Sequence, residues 1–203
     1  MKLYNVSFDV NNTDRVLKPR IPESAADVEN KTIERVCLAD SVAHCIQAIA
    51  SDNREIKVGT KIIVRAVESS HLSSKWLVSP ETLFSRGLVY DALENNEYWY
   101  LKPLAFNMAL CTITDFDADF TLAWSLIKIE DCKRIVHKYL PNMQVNRYRV
   151  SKNLYEAAMR ECNRTHNWDA EDEIWDALAE LPYSQKIELS KLKLRKEKTL
   201  WEI

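Results

Sequence analysis

Two glycines, Gly59 and Gly87, are all that this 203-residue chain contains, where average usage of about 7% would give roughly fourteen. Loops that cradle phosphate on bare backbone need glycine at fixed spacings, and here the two are isolated. That excludes a P-loop, a dinucleotide-binding G-x-G-x-x-G turn and the strained serine elbow of many hydrolases. Any phosphate site in this chain would have to do without a glycine-built loop.

Hydrophobic residues make up 46% of the sequence, enough for one sizeable core with a helical appendage. The formal charge of −2 and a pI near 6.1 supply no whole-chain field for nucleic acid or an acidic membrane. No run of about 18 apolar residues occurs, and Met1-Lys2-Leu3-Tyr4 turns polar at once, so neither a secretory signal nor a spanning helix is expected. The expected location is cytoplasmic. Five cysteines (Cys37, Cys45, Cys111, Cys132, Cys162) form an odd set without a C-x-x-C pair, which reads as reduced, buried thiols.

Period-two patterns predict strands at 3–9, 34–39, 60–67, 97–102, 108–114, 120–129 and 144–150. Short helices fall between them. Asp40 or Ser41 can cap one whose Val42, Cys45, Ile46 and Ile49 share a face; Ser79-Pro80-Glu81 starts a second; a third covers 131–140. Without a regular β-α-β repeat, the expected fold is α+β, a mixed or largely antiparallel sheet with short helices over residues 1–150. From Ser151 the period becomes helical, predicting a helical C-terminal extension over 151–203. One helix is capped by Asp169 and carries Ile174, Leu178 and Leu181, and its acidic face (Asp169, Glu171, Asp172, Glu173, Asp176, Glu180) contrasts with the basic residues of 183–203. The two segments are expected to form an antiparallel hairpin around Leu181-Pro182, or else to bind a partner through the acidic, tryptophan-bearing helix.

Metal chemistry finds little support. The four histidines are scattered and no paired ligand spacing occurs, so no metal is expected. Asp115-Phe116-Asp117-Ala118-Asp119 alternates carboxylates but lacks the glycine and distal glutamate of a calcium loop, and reads as a solvated turn. Cys37 sits mid-strand and is expected to be buried; Ser41 with His44 is the other nucleophile and base that can be drawn.

The remaining candidates are Tyr4, Ser7, Arg20, Ser41 and Glu97, from the first strand, a proline-bracketed loop (Lys18-Pro19-Arg20-Ile21-Pro22-Glu23-Ser24), a strand-to-helix turn and a later strand. Tyr4-Asn5-Val6-Ser7 is similar to the [His/Tyr]-x-[Ser/Thr] opening of the first strand in ADP-ribosyltransferase-like proteins, with Ser7 one place further on. Val36-Cys37-Leu38-Ala39-Asp40-Ser41 resembles that family's second strand, which ends in small residues and enters a helix, and Glu97 matches the glutamate of a later strand. The resemblance covers about residues 3–103. It implies cleavage of the nicotinamide–ribose bond of NAD and transfer of ADP-ribose to a macromolecule. Tyr4, Ser7 and Arg20 would hold the dinucleotide, Ser41 would orient the glutamate, and Glu97 would hydrogen-bond the ribose as positive charge develops.

Pro19-Arg20-Ile21-Pro22-Glu23-Ser24 and Arg35-Val36-Cys37-Leu38-Ala39 are also similar to segments of uncharacterised proteins carried by bacteria and their phages. That resemblance implies an alternative: a non-enzymatic protein that binds and inhibits a host defence protein, through Trp168, Trp175 and Trp201 or an exposed sheet face. A third expectation is a nucleotide-binding or sequestering module that uses the same cleft without chemistry.

Overall fold

The computed structural model describes residues 1–22, 30–50, 56–122, 124, 127–181 and 185–202. Glu23, Ser24, Ala123, Ser125, Leu126 and Pro182, which several of the expectations above include, lie outside the described residues. In chain order the first elements are β1 (Lys2–Ser7), β2 (Val16–Leu17), β3 (Val36–Ala39), α1 (Val42–Ala50) and β4 (Lys61–Glu68). They are followed by β5 (Leu77–Val78), α2 (Pro80–Ser85), β6 (Glu97–Tyr100), β7 (Leu104–Ala105) and β8 (Asn107–Leu122). Three helices come next, α3 (Ile129–Tyr139), α4 (Ser151–Thr165) and α5 (Trp168–Ala179), and β9 (Gln185–Trp201) closes the series. The fold is α+β, as the mixed patterning predicts.

The chain forms two compact units: Met1–Phe120 with Ile187–Ile203, and Thr121–Lys186. In the first, seven strands form a sheet in the order β5-β6-β3-β1-β4-β8-β9. The pairings of β1 with β3 and β4, of β3 with β6, of β4 with β8 and of β5 with β6 are all antiparallel. Between β8 and β9, Thr114 Oγ1 donates to the Lys193 carbonyl and Ser190 Oγ to the Asp117 carbonyl. Residue number therefore falls along one strand as it rises along the other, an antiparallel course as well.

Both faces of the sheet are covered, which is why β4 buries Ile62 and Ile63 in succession. Alternate residues of a strand point to opposite faces. Val6, Ala39, Ile62, Cys111 and Ile113 face one layer, with Cys45 and Ile46 of α1 packed among them. Leu3, Val36, Leu38, Ile63, Val67 and Met108 face the other, with Leu104 and Phe106. Each fully buried aliphatic side chain contributes roughly 1.5–3 kcal/mol. At α2, Ser79 accepts from the Thr82 N–H and Pro80 takes the first helical position, so the expected start signal operates there.

Three expectations change. The sequence pattern predicts two strands, 108–114 and 120–129, around an aspartate turn, but β8 runs unbroken through Asp115, Asp117 and Asp119 and ends at Leu122. Its neighbour supplies the reason: Lys191 and Lys193 sit 2.7 and 3.3 Å from the Asp115 carboxylate. Residues 185–201, expected as the second arm of a helical hairpin, are strand β9. Lys191-Leu192-Lys193-Leu194 alternates with period two, and Leu192 and Leu194 pack against the α1 layer. The C-terminal helical hairpin itself is present, formed by α4 and α5. It turns at His166, which adopts a left-handed φ of 54°, and Asn167 rather than Asp169 caps α5 by accepting from the Ala170 N–H. Finally, 144–150 is a short 3₁₀ turn at Val145–Arg147 rather than a strand. In this second unit Cys132, Val136, Leu154, Ala158, Cys162, Ile174 and Leu178 form the core between the three helices. No helix among the described residues is long and apolar enough to cross a membrane.

A buried guanidinium fastens the 9–14 loop to the sheet. Arg65 is 1% exposed; its Nε donates to the Asp14 carbonyl, Nη1 to Asn5 Oδ1 and Nη2 to the Asn12 carbonyl and Oδ1. Replacing Arg65 by Met leaves those acceptors without donors in a half-buried setting and is expected to cost about 3 kcal/mol. Asn12→Ala keeps the carbonyl contact and should cost less than about 1.5 kcal/mol, both read by urea denaturation.

Candidate functional site

The antiparallel pairings that flank β3 set the geometry of the candidate site. Tyr4 of β1 opposes Ala39 of β3, and Ala39 opposes Glu97 of β6. Directly opposed residues share a face, so Tyr4, Ala39 and Glu97 form one cross-strand row on the side of the sheet where α1 packs. With strands about 4.8 Å apart, the row places the backbones of Tyr4 and Glu97 roughly 10 Å from each other. Ser41 follows two residues after Ala39, and its Oγ accepts from the His44 N–H, which starts α1.

Of the five expected site residues, Tyr4 and Glu97 thus flank Ala39 in one row, and Ser41 lies two residues beyond the end of that row. The other two do not join them. Ser7 opposes Ile63 and shares its face, opposite to that of Tyr4, because three residues separate the two and side chains alternate along a strand. Its Oγ accepts from the Asp9 N–H in a local turn. Arg20 exchanges backbone hydrogen bonds with Arg35, just ahead of β3, about 13 Å of extended chain from Ala39. There its charge bears on Arg65.

Glu97 is held from behind. Trp99, fully buried, donates its indole N–H to Glu97 Oε1 at 2.7 Å. The Arg35 guanidinium lies 4.0 Å from the Trp99 ring centroid, inside cation–π range, and its Nη1 donates to the Asn30 and Ile33 carbonyls. The sequence reading did not single out Trp99 or Arg35 as supports. The signal was present in the Glu97-Tyr98-Trp99 spacing, which puts Glu97 and Trp99 on the same face.

Cys45 lies against this row and donates its thiol to the Tyr4 carbonyl at 3.2 Å. Burial pushes the Cys45 thiol up to about 12; the Ala39 backbone opposes that shift, and the charges of Glu97 and Asp40 add to it. Cys132, in the helical unit, is likewise pushed up to about 12 by burial. Neither is a thiolate nucleophile near neutral pH. The next side chain along the turn, Asp40, sits 2.5 Å from His44 Nδ1 through Oδ1. Among the described residues no group of three or more His, Cys, Asp or Glu side chains is placed to hold a metal ion. Two open grooves of about 490 and 520 Å³ lie in the helical unit, and Glu161 in the first is already bound by Arg164.

Glu97→Gln preserves an oxygen acceptor for Trp99 and should shift stability by no more than about 1 kcal/mol, whereas Glu97→Leu leaves a buried indole N–H unpaired and should cost about 1–3 kcal/mol, measured by thermal unfolding. Cys45 and Cys132 should resist a thiol reagent at pH 8 in the folded protein and react on unfolding. Both thiols bind their protons more tightly folded than unfolded, so stability from this source is complete below pH ~8.5, the ordinary thiol value, and declines as pH rises towards about 12, following proton linkage. Alkaline denaturation midpoints of the two Cys→Ala variants check this.

No family model matches this chain, and no curated protein or solved structure matches it either.

Proposed function

We propose that this protein is an ADP-ribosyltransferase-like enzyme that takes ADP-ribose from NAD and passes it to a macromolecule, with Glu97 as the catalytic carboxylate. The observation that carries the reading is the Tyr4–Ala39–Glu97 row. Three short motifs scattered over more than ninety residues of sequence, each similar to one part of that family's site, come together on adjacent strands, on one face and in one register. Ser41 lies at the same strand end. Glu97, fixed by Trp99 through one oxygen, would present its carboxylate to the ribose as the nicotinamide departs, and a preorganised charge of this kind is worth 10² to 10³ in rate. Ser7 and Arg20 have no part in this version of the site; Tyr4 alone of the expected dinucleotide-binding residues remains in it.

Nicotinamide release from NAD by the purified protein tests the proposal. The expected result is turnover that falls about 100-fold or more in Glu97→Gln while the unfolding curve stays in place. NAD left unconsumed by the wild type, with and without cell extract as acceptor source, overturns it.

A second reading, a stoichiometric binding protein, is favoured by one feature of α5. Asp169, Asp172, Glu173, Asp176 and Glu180 are exposed along it, and no ion pair to any of them occurs among the described residues. Trp168 and Trp175 stand 51% and 37% exposed on the same helix. Carboxylates near the helix C-terminus oppose the macrodipole; Lys138 of α3 lies within electrostatic reach of Glu173 and Glu180, and a cationic partner would relieve the remaining cost. On this reading Trp168→Ser with Trp175→Ser abolishes 1:1 complex formation with a bacterial protein, and Glu97→Gln leaves it intact; the opposite pattern in isothermal titration removes the binding reading.

A further inference from the structure

Three aromatic side chains of the helical unit form a contact series. The ring centroid of Trp124, between β8 and α3, lies 4.8 Å from that of Tyr155 on α4, and Tyr155 lies 6.2 Å from Trp175 on α5, with planes tilted by 40° and 56°. Trp124 and Tyr155 rest against the core of the unit. Trp175 is the open member, 37% exposed.

The phase of α5 decides what stands beside these rings. Ala170, Ile174 and Leu178 are its buried stripe; with about 3.6 residues per turn, Glu171 and Trp175 fall along one flank of that stripe, Glu173 and Ala177 along the other. Each flank has its own neighbour. Trp175 meets Tyr155 of α4, whereas Glu173 lies within electrostatic reach of Lys138 of α3. Glu171 and Trp175, four residues apart, are neighbours on the helix surface, so Glu171 stands on the α4 side, next to the rings. Burial raises the pKa of the Tyr155 hydroxyl and the Glu171 charge adds to the rise, in keeping with that placement. Glu171 Oε2 is buried and accepts no hydrogen bond among the described residues.

A buried carboxylate oxygen without a donor is costly, and a ligand that brings a donor relieves the cost. The rings narrow the choice of ligand. Their faces attract cations, and their apolar surface suits methylene groups. A quaternary ammonium would satisfy the rings but brings no N–H to Oε2. A protonated amine on an alkyl stem satisfies both.

We propose that Trp124, Tyr155, Trp175 and Glu171 form a binding site for an alkylammonium group that carries at least one N–H, supplied by a lysine side chain or by a free alkylamine. The N–H donates to Glu171 Oε2 and the stem lies along the rings. Trp175, being exposed, is the ring free to turn outward and admit the ligand. Every residue of this site belongs to the helical unit, so it is independent of the transferase reading; it supplies the binding reading of α5 with a ligand chemistry.

The full chain is titrated with n-butylammonium, followed by isothermal titration and tryptophan fluorescence, with butanol, tetramethylammonium and N-acetyl-lysine-N′-methylamide as parallel probes. Saturable binding of n-butylammonium is expected at roughly 1–20 mM, in keeping with so small a ligand, and about tenfold or more tighter than that of butanol or tetramethylammonium. Glu171→Gln should weaken it about tenfold or more and Trp175→Leu several-fold, while Glu173→Gln on the opposite flank leaves it unchanged; thermal unfolding of each variant shows that the fold is kept. Binding of the lysine probe as tight as that of n-butylammonium assigns the site to a lysine of a partner, and rejection of that probe alone assigns it to a free amine. Absence of saturable binding by both amines, equal binding of tetramethylammonium, or unchanged binding in a folded Glu171→Gln overturns the proposal. None of these results bears on NAD consumption, which tests the transferase reading separately.

Discussion

The pairing of β3 with a partner on each side is the constraint from which the candidate site follows. Tyr4, Ala39 and Glu97 are separated by 35 and 58 positions in sequence, and no local rule relates them. Backbone hydrogen bonding does. Once Tyr4 opposes Ala39 and Ala39 opposes Glu97, the face each side chain takes is decided, and a slip of one residue on either side would send Tyr4 or Glu97 to the opposite layer. The burial of Leu3 and Leu38 on one face and of Val6 and Ala39 on the other makes such a slip costly, since it would exchange apolar and polar residues across both layers at once. Core packing and site geometry are thus the same constraint seen from two sides.

Scarcity of glycine is met by side chains that bind backbone. Asp9 Oδ1 accepts from the Asn11 N–H, Asn30 Oδ1 from the Thr32 and Ile33 N–H groups, and Arg65 gathers the carbonyls of the 9–14 loop. Where the chain must enter the left-handed region without glycine, Asn96 does so at φ 43° and His166 at φ 54°, residue types that tolerate it better than most. Asn96 immediately precedes Glu97. The turn that delivers β6 is therefore held by a residue in a strained conformation, reinforced by Asn95, 5% exposed and bonded through Nδ2 to Asp91.

Much of this architecture is legible in the sequence, and the exceptions share a cause. Strands β1, β3, β4 and β6 and helices α1 and α2 announce themselves by alternation and by caps such as Ser79-Pro80, which act over a few residues. Tyr4 and Glu97 could be picked as candidates from short motifs. That Ser7 faces away from Tyr4 follows from strand parity, which outweighs the motif's spacing. The position of Arg20 is not legible in the same way, because the proline-bracketed loop has no periodicity to say which end of β3 it meets. The aspartate run of β8 and the lysine-rich β9 misled for a different reason. Each looks solvated or helical alone, and each becomes a strand because the other neutralises it, an influence that acts across more than seventy residues. The support of Glu97 by Trp99 and Arg35 required knowing that an arginine ahead of β3 reaches a tryptophan on β6.

Strands β8 and β9 are neighbours in the sheet, yet the entire helical unit is spliced between them. For a flexible connection of that length, bringing the two ends together would carry a substantial entropy penalty. A connection that condenses first around its own core behaves as a much shorter tether. By this argument β9, the one strand of the sheet that lies beyond the insertion, should be the last to join it, since the loop that it closes is short only once the helices have packed.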